Sequence, residues 1–259
     1  QQAAYNRLGF SVKRTMTIAQ KLYEGLPLQD KSTPVALITY MRTDSLRISD
    51  TALTQARAHI KKEYGNDYLP ASANFYAKGK KSEAKAQDAH EAVRPIDSSL
   101  TPDKVSRFLP PDAAKLYKLI WQRFVACQMN PAQYAQRQVN IMSPKFLFRV
   151  TGSSLIFDGF LKVYNVEEDE KEQKAKIPKE LEAKKSIDNK KTDGKQHFTQ
   201  PPPRFTEASL VKELEKEGIG RPSTYATILS TIQARNYTAL DTKKRFLPTE
   251  LGMQVTKIL

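Results

Sequence analysis

The sequence predicts a multidomain α+β protein in which mainly helical domains are joined by a β-rich segment. Apolar residues recur at helical spacing, between capping and breaking residues, as far as residue 137. From about Gln138 the period changes to the alternation that is typical of strands. Helical spacing returns at about residue 205, after a proline-rich connector. We therefore expect domains at 1–137, 138–204 and 205–259.

The charge balance indicates a polyanionic partner. The 259 residues carry a formal charge of +14, and the pI is near 9.7. Nucleic acid fits this balance better than an anionic membrane surface does, and no apolar run approaches the roughly 18 residues of a membrane span. The single cysteine, Cys127, excludes an intramolecular disulfide and fits a reducing cytosol. Because the chain opens at Gln1 within a helical pattern, we interpret it as part of a larger protein.

Three helices are predicted in the first region, each between a capping residue or proline and a glycine or Asn-Pro stop. They cover 1–25, 50–65 and 111–127. In the first, Ser11 is a predicted N-cap and Gly25 a predicted stop. Trp121 and Phe124 in the third are predicted to be core residues and not base-stacking platforms.

A tyrosine and an arginine follow the short β-like run 35–38. Residues two apart project to the same side of an extended segment, so Tyr40 and Arg42 are expected to face one ligand together. A deprotonated phenol is a nucleophile, and a guanidinium matches the geometry of a phosphate. The pair indicates phosphoryl transfer to tyrosine. The alternative is an ordinary buried tyrosine beside a surface arginine.

A second pair, His90 and Arg94, is spaced four residues apart and precedes Pro95. A helical turn here would place both side chains on one face, and the proline would end it. Such a face suits contact with a phosphate. A histidine with a purely structural hydrogen bond is the alternative.

Alternation between residues 139 and 163 predicts about three strands, separated by Pro144 and Gly152. Acidic residues and lysines are interleaved from Glu167 to Lys195, which indicates a solvated loop or a disordered insertion. The run 200–204 is typical of a stiff polyproline connector.

The last segment has the order of a winged helix-turn-helix. Thr206 is predicted to cap a helix that ends at Gly218, and Pro222-Ser223-Thr224 is predicted to start a second. Strands at 237–240 and 245–247 would form a hairpin. The junction between the helices places amide hydrogens, two hydroxyls and Arg221 at a helix N-terminus, which suits a phosphate. A well-capped helix pair is the alternative interpretation.

Three motifs stand in one order along the chain. They are Ile38-Thr39-Tyr40-Met41-Arg42-Thr43-Asp44-Ser45, Ala89-His90-Glu91-Ala92-Val93-Arg94-Pro95 and Gly218-Ile219-Gly220-Arg221-Pro222-Ser223-Thr224-Tyr225-Ala226. Together they closely resemble the type IA DNA topoisomerases, in the form found in bacterial topoisomerase I. The similarity extends over most of the chain, including 1–4 and 205–214. Met41 resembles the bacterial topoisomerase I form, because the topoisomerase III relatives usually carry proline there. The charged insertion is a local departure.

The resemblance implies a role for each motif. Tyr40 would attack a single-strand phosphodiester and become joined to the 5′ phosphate, Arg42 would orient and neutralise that phosphate, and His90 would contact phosphate near the cleavage site. Further residues would bind DNA: Arg94, Arg204, Arg221, Ser223, Thr224 and Arg235. The chain would consist of winged-helix-like helical domains joined by a β-rich arch.

The resemblance also implies a missing part. In the family, Mg²⁺ is bound by an N-terminal toprim domain, and we expect no metal site in this chain. A phenol with its usual pKa of about 10 needs help to act as a nucleophile at neutral pH. The chain alone is therefore expected to be inactive in relaxing negatively supercoiled DNA but to bind single-stranded DNA. Its expected partners are that DNA and the missing domain, and no membrane partner is expected. The expected location is the cytoplasm, in association with the nucleoid.

Three other classes of protein fit part of this pattern. A tyrosine recombinase would place two or more arginines and a histidine around a tyrosine late in the chain. A rolling-circle nickase would need a His-rich metal motif, and the chain has three scattered histidines. A non-enzymatic winged-helix DNA binder would need only the C-terminal hairpin and the positive charge. A 5′ linkage separates the topoisomerase from the recombinase, which forms a 3′ linkage.

Overall fold

The computed structural model describes residues 1–28, 33–76, 90–165, 177–178 and 181–259. They form a mixture of helices and small sheets, which agrees with the predicted α+β class. The chain divides into two compact units. One combines Gln1–Met129 with Pro203–Leu259, and the other is Asn130–Pro202. The first and last of the three expected segments thus belong to one compact unit. The three-domain division itself stays a prediction.

Helices dominate the first unit. They are α1 Gln2–Leu8, α2 Val12–Glu24, α3 Asp50–Tyr64, α4 Pro102–Val105, α5 Pro111–Cys127, α6 Glu207–Lys216, α7 Tyr225–Ala234 and α8 Glu250–Ile258. The strands of this unit are β3 Thr238–Leu240 and β4 Phe246–Pro248, and those of the second unit are β1 Gln133–Met142 and β2 Leu147–Phe157. In the described ranges no helix is long and apolar enough to cross a membrane.

The single helix expected over 1–25 is wrong, because the structure has two. Gly9 adopts a left-handed conformation with φ of 65° and ends α1. Ser11 then starts α2 as predicted, and its side chain accepts a hydrogen bond from the Arg14 N–H at 3.2 Å. Gly25 follows the last residue of α2, also as predicted.

The predicted third helix, α5, provides a large part of the core. It begins at the predicted prolines and buries Leu116, Tyr117, Trp121 and Phe124. The indole N–H of Trp121 donates to the carbonyl of Ser98 at 3.0 Å, so its polar atom is satisfied inside the protein. The core assignment of Trp121 and Phe124 is confirmed.

The C-terminal helices pack on α2. A buried apolar cluster joins Val12 of α2 to Val211, Tyr225, Leu229 and Phe246. The helices predicted at 206–218 and 222–232 and the following hairpin are present as α6, α7 and β3–β4. Thr206 caps α6 in a reciprocal arrangement with Ser209. The final helix, α8, was not predicted.

The second unit is built on one long antiparallel hairpin. Strand β1 starts at Gln133, earlier than the predicted change of period, and Val139 pairs with Val150. Gly152 lies inside β2 opposite Arg137, so its predicted role as a strand breaker is wrong. Phe160 and Val163 lie in and after a 3₁₀ turn and not in a strand. Since the Phe160 N–H donates to the Asn130 carbonyl at 2.9 Å, the chain has already turned away from the ladder.

The charged insertion lies partly outside the described residues, at 166–176 and 179–180. Its described remainder, at 177–178 and from 181 onward, has no helix or strand as far as residue 200. The boundary between the two compact units falls within the predicted proline connector, between Pro202 and Pro203.

Candidate functional site

Three aromatic rings meet at Tyr40. The Tyr40 ring stacks on His90, with centroids 5.2 Å apart and an interplanar angle of 29°. On another side it meets Tyr23 of α2 edge to face, at 5.4 Å and 68°. Tyr40 is half-buried. The structure therefore brings the first two sequence motifs together at one tyrosine.

Backbone pairing holds these segments in place. The Thr39 N–H donates to the Arg94 carbonyl at 2.9 Å, and the Arg94 N–H donates to the Thr39 hydroxyl oxygen at 3.0 Å. The same hydroxyl donates to the Ala92 carbonyl at 2.7 Å. Ile38 and Pro95 form an antiparallel bridge beside these bonds. Residues 92–96 thus run antiparallel to the segment that carries Tyr40.

The helical turn expected at His90–Arg94 is wrong. These residues have no helical hydrogen bonds, because the Thr39 side chain and backbone engage the polar backbone groups of Ala92 and Arg94. The Ala92 N–H donates instead to the Arg47 carbonyl at 2.8 Å. His90 reaches Tyr40 along an irregular, extended path and not by sharing a helical face with Arg94.

The guanidinium of Arg94 faces the protein. Its Nε donates to one carboxylate oxygen of Glu91 at 2.7 Å, and Nη2 lies 2.6 Å from the same oxygen as an ion pair. Its Nη1 donates to the Pro95 carbonyl at 2.9 Å, and Nη2 also reaches the Ser49 hydroxyl at 3.3 Å. The Arg94 side chain is 11% exposed and that of Glu91 is 20% exposed. This is a sheltered ion pair beside His90.

Arg42 lies on the surface. The chain bends at Met41 and Arg42, and the Met41 side chain is buried whereas Arg42 is exposed. The bend interrupts the extended geometry from which the sequence placed Tyr40 and Arg42 on one side. In the part of the chain that the structure describes, neither the Tyr40 hydroxyl nor the Arg42 guanidinium has a hydrogen-bond partner.

The α6–α7 junction is shaped by its own polar groups. The Arg221 N–H donates to the Thr224 hydroxyl oxygen at 2.9 Å, and Arg221 Nη1 donates to the Gly220 carbonyl at 2.6 Å. Pro222–Thr224 form a turn, and α7 begins only at Tyr225. Arg221, Ser223 and Thr224 are all exposed. A basic, hydroxyl-bearing loop thus precedes the helix.

The first and third motifs both influence the phenol of Tyr225. Burial raises the pKa of Tyr225, the carboxylates of Glu215 and Asp44 raise it further, and the guanidinium of Arg221 opposes them. Asp44 belongs to the first motif and Arg221 to the third. The structure therefore places both within electrostatic range of one phenol.

Arg204 and Arg235 are exposed and lie in different places. Arg204 is in the connector, and the next residue, Phe205, accepts a hydrogen bond from the Phe246 N–H at 2.7 Å. Arg235 caps the C-terminal end of α7. Among the described residues, no three His, Cys, Asp or Glu side chains group together as a metal site.

Sequence reasoning missed Tyr23 and Glu91. Tyr23 lies in a predicted helix, and helical spacing carries no signal for a contact with Tyr40. The contact arises because α2 is joined to the Tyr40 segment by backbone bonds from Leu37 to Leu22 at 2.8 Å and between Leu26 and Val35. For Glu91, the Glu-x-x-Arg spacing was a usable signal for an ion pair.

Comparison with known proteins covers the whole chain. A family model described as DNA topoisomerase matches residues 1–259. The chain is 48% identical to DNA topoisomerase 1 of Rickettsia conorii and 44% identical to that of Campylobacter jejuni, over its full length but only 33% and 35% of those proteins. The solved structure of full-length topoisomerase I from Thermotoga maritima matches with a TM-score of 0.80 and 37% identity, over 100% of this chain and 40% of that one. The chain spans about a third of the length of the curated relatives it matches.

Proposed function

This chain belongs to the bacterial topoisomerase I group of type IA DNA topoisomerases, and we propose that it carries the DNA-cleaving tyrosine of a longer enzyme. That enzyme relaxes negatively supercoiled DNA without ATP, through transient cleavage of one strand. The observation that carries the proposal is the position of Tyr40, stacked on His90 with its hydroxyl unpartnered by any described residue.

The proposed cleavage exchanges one phosphate ester for another. The Tyr40 oxygen attacks phosphorus and loses its proton to a base, forming a bond to the 5′ phosphate. The bond from phosphorus to the 3′ oxygen breaks, and that oxygen takes up a proton. After strand passage the 3′ hydroxyl attacks the phosphotyrosine and restores both original bonds. Because an ester is exchanged for an ester, the step is nearly balanced in energy and needs no ATP.

Each basic residue has a proposed part in holding the strand. Arg42 is exposed next to the buried Met41 and would neutralise the phosphate that Tyr40 attacks. His90 would contact phosphate beside the same bond. The single strand that runs to the cleavage site would be held by five residues, Arg204, Arg221, Ser223, Thr224 and Arg235. Arg94, predicted from the sequence to bind DNA, has its guanidinium turned to Glu91.

Activation of the phenol is assigned to a part of the protein outside this chain. A protonated phenol is a weak nucleophile, so it needs a base, a cation or a metal to become reactive. No cluster among the described residues fits Mg²⁺. We propose that the ion is bound by the toprim domain of the longer protein. The chain alone then binds single-stranded DNA but does not relax supercoils.

Two structural features support the remaining fold assignments. The order α6, α7, β3 and β4 supports a winged-helix-like DNA-binding region from residue 205. The long β1–β2 hairpin supports a β-rich arch over 138–204. Both remain proposals.

Trapping the covalent intermediate tests the nucleophile. This chain is mixed with the separately prepared N-terminal part, Mg²⁺ and a single-stranded oligonucleotide labelled at one end. We expect an adduct on this chain that carries the 5′ phosphate and is absent with Tyr40→Phe. Tyr134→Phe, an exposed tyrosine of β1, should leave the adduct intact. An adduct that survives Tyr40→Phe would exclude Tyr40 as the nucleophile. Relaxation of supercoiled DNA by the isolated chain would contradict the proposal that activation needs a part of the protein outside this chain.

A further inference from the structure

We propose that Arg94 and Glu91 are positioning residues that hold His90 against Tyr40, and that Arg94 does not itself contact DNA. The proposal rests on the function proposed for Tyr40. It replaces the sequence-based assignment of Arg94 as a DNA ligand with a role inside the protein. The grounds are the contacts of the guanidinium, the path of the backbone and the burial of the pair.

The donors of Arg94 are already engaged. Its four hydrogen bonds run from Nε to Glu91, from Nη1 to the Pro95 and Ile96 carbonyls and from Nη2 to the Ser49 hydroxyl, and Nη2 also forms an ion pair with Glu91. A guanidinium has five N–H donors, and bidentate recognition of a phosphate needs two that are directed at solvent. A phosphate would therefore have to displace Glu91 or the backbone carbonyls.

The charges of Arg94 and Glu91 also neutralise each other. The Glu91 carboxylate lies 2.6 Å from Nη2 and offsets the positive charge that would attract a phosphate. With 11% of the Arg94 side chain exposed, little of the guanidinium faces solvent. Exposed arginines such as Arg42 and Arg221 suit a phosphate contact better.

The connections of Arg94 explain how it acts on His90. Its backbone N–H and carbonyl both bond to Thr39, the residue before Tyr40. Its side chain bonds to Glu91, the residue after His90. Arg94 thus connects Glu91, which follows His90, to Thr39, which precedes Tyr40. The bond to Ser49, which precedes α3, anchors this arrangement to a helix.

Since His90 lies on an irregular segment, the Tyr40 stack depends on this tie. Without the guanidinium, the Glu91 carboxylate loses its partner and the segment from His90 to Arg94 loses the ion pair that holds its ends together. A displacement of about 1 Å at a reacting group can lower a rate about a hundredfold. We expect Arg94→Gln to slow cleavage by about tenfold to a hundredfold and to leave DNA affinity unchanged.

A double-mutant cycle in the full-length protein tests this role. Single-turnover adduct formation is measured for wild type, Arg94→Gln, His90→Ala and the double variant, with the affinity for a single-stranded oligonucleotide measured at several salt concentrations. If Arg94 acts through His90, the double variant is no slower than His90→Ala. A double variant slowed by the product of the two single effects overturns the proposal. Weaker binding by Arg94→Gln, with a salt slope reduced by about 0.7, also overturns it.

Two variants separate positioning from charge and from general loss of stability. Arg94→Lys keeps the charge but lacks the fork, so it should be slow like Arg94→Gln, and full activity of this variant would overturn the proposal. Arg245→Gln removes a comparable pair with Asp241, in the turn between β3 and β4, and should leave cleavage unchanged. Slow cleavage by Arg245→Gln would attribute the Arg94 effect to stability and overturn the proposal.

A readout without cleavage keeps this proposal separate from the proposed function. The stack on Tyr40 should give the labelled ring protons of His90 a ring-current shift in the NMR spectrum of the full-length protein. That shift should disappear in Tyr40→Ala and in Arg94→Gln. If it persists in Arg94→Gln, the positioning role is overturned. Absence of any adduct in the wild type would instead contradict the function proposed for Tyr40.

Discussion

Tyr40 shows how much of a residue's chemical role depends on its neighbours in space. Sequence spacing left a nucleophile and an ordinary buried tyrosine as alternatives. In the fold Tyr40 is half-buried between the rings of Tyr23 and His90. An exposed Arg42 follows two residues later. A phenol oriented by packing, with an exposed arginine two residues later, fits the proposed attack on a phosphate.

At the same scale, Gly220 is required by the conformation of the α6–α7 junction. Its φ is 75°, and a Cβ there would lie 2.8 Å from Ile228 Cδ1 and 3.0 Å from Thr224 Oγ1. Gly218 has a φ of 71° but open space around it. We expect Ala to cost about 1–2 kcal/mol at Gly218 from the backbone alone, and about 1 kcal/mol more at Gly220 from crowding.

Urea unfolding of the two variants measures this difference. Gly220→Ala should also weaken binding of single-stranded DNA, because it displaces the loop that carries Arg221. Equal unfolding free energies for Gly218→Ala and Gly220→Ala would show that crowding at the junction is unimportant.

At the scale of elements, helices with clear caps were predicted well, whereas the helical turn predicted at His90–Arg94 was not found. Ser11, Thr206 and the prolines before α5 mark helix starts because a cap is a local interaction. The i, i+4 spacing of His90 and Arg94 predicted a helical turn that does not form. The partner that prevails, Thr39, lies 55 residues from Arg94. A local pattern carries no information about a competitor at that distance.

Helix α2 depends on a carboxylate from a distant element. The Val12 N–H, at the start of α2, donates to Glu207 of α6 at 2.6 Å, and Val12 is completely buried. The carboxylate satisfies an otherwise unpaired N–H and lies at the favourable end of the helix dipole. We expect Glu207→Ala to lower the free energy of unfolding by about 1–2 kcal/mol.

Denaturant unfolding is the measurement for Glu207→Ala. Glu250→Ala, at an exposed position in the first turn of α8, is the matched control and should have a smaller effect. Comparable losses in both variants would mean that the bond to Val12 adds nothing beyond an ordinary acidic residue near a helix start.

At the scale of the whole molecule, we expect the charge of +14 to govern the proposed interaction with DNA. Binding of single-stranded DNA releases counterions, so affinity should fall as salt rises, by about 0.7 log units per tenfold increase in salt for each phosphate neutralised. Arg221→Gln should weaken binding and reduce this slope by about 0.7. Lys62→Gln removes the same charge from a side chain that is 82% exposed and lies outside the proposed contacts, and its slope should stay unchanged. Equal slopes for wild type and Arg221→Gln would remove Arg221 from the interface.

The sequence by itself determined the family, the α+β class, most helix boundaries and the identity of the candidate nucleophile. These follow from local signals such as caps, periodicity and three motifs in order. Only the tertiary structure decided that α2 packs against α6 and α7 and that Tyr23 and His90 enclose Tyr40. It also turned Arg94 towards Glu91. Those contacts join residues far apart in sequence, such as Val12 and Glu207, which are separated by 195 positions. They form because an unpaired buried donor costs free energy and burial of apolar surface is favourable, whatever the sequence separation of the partners.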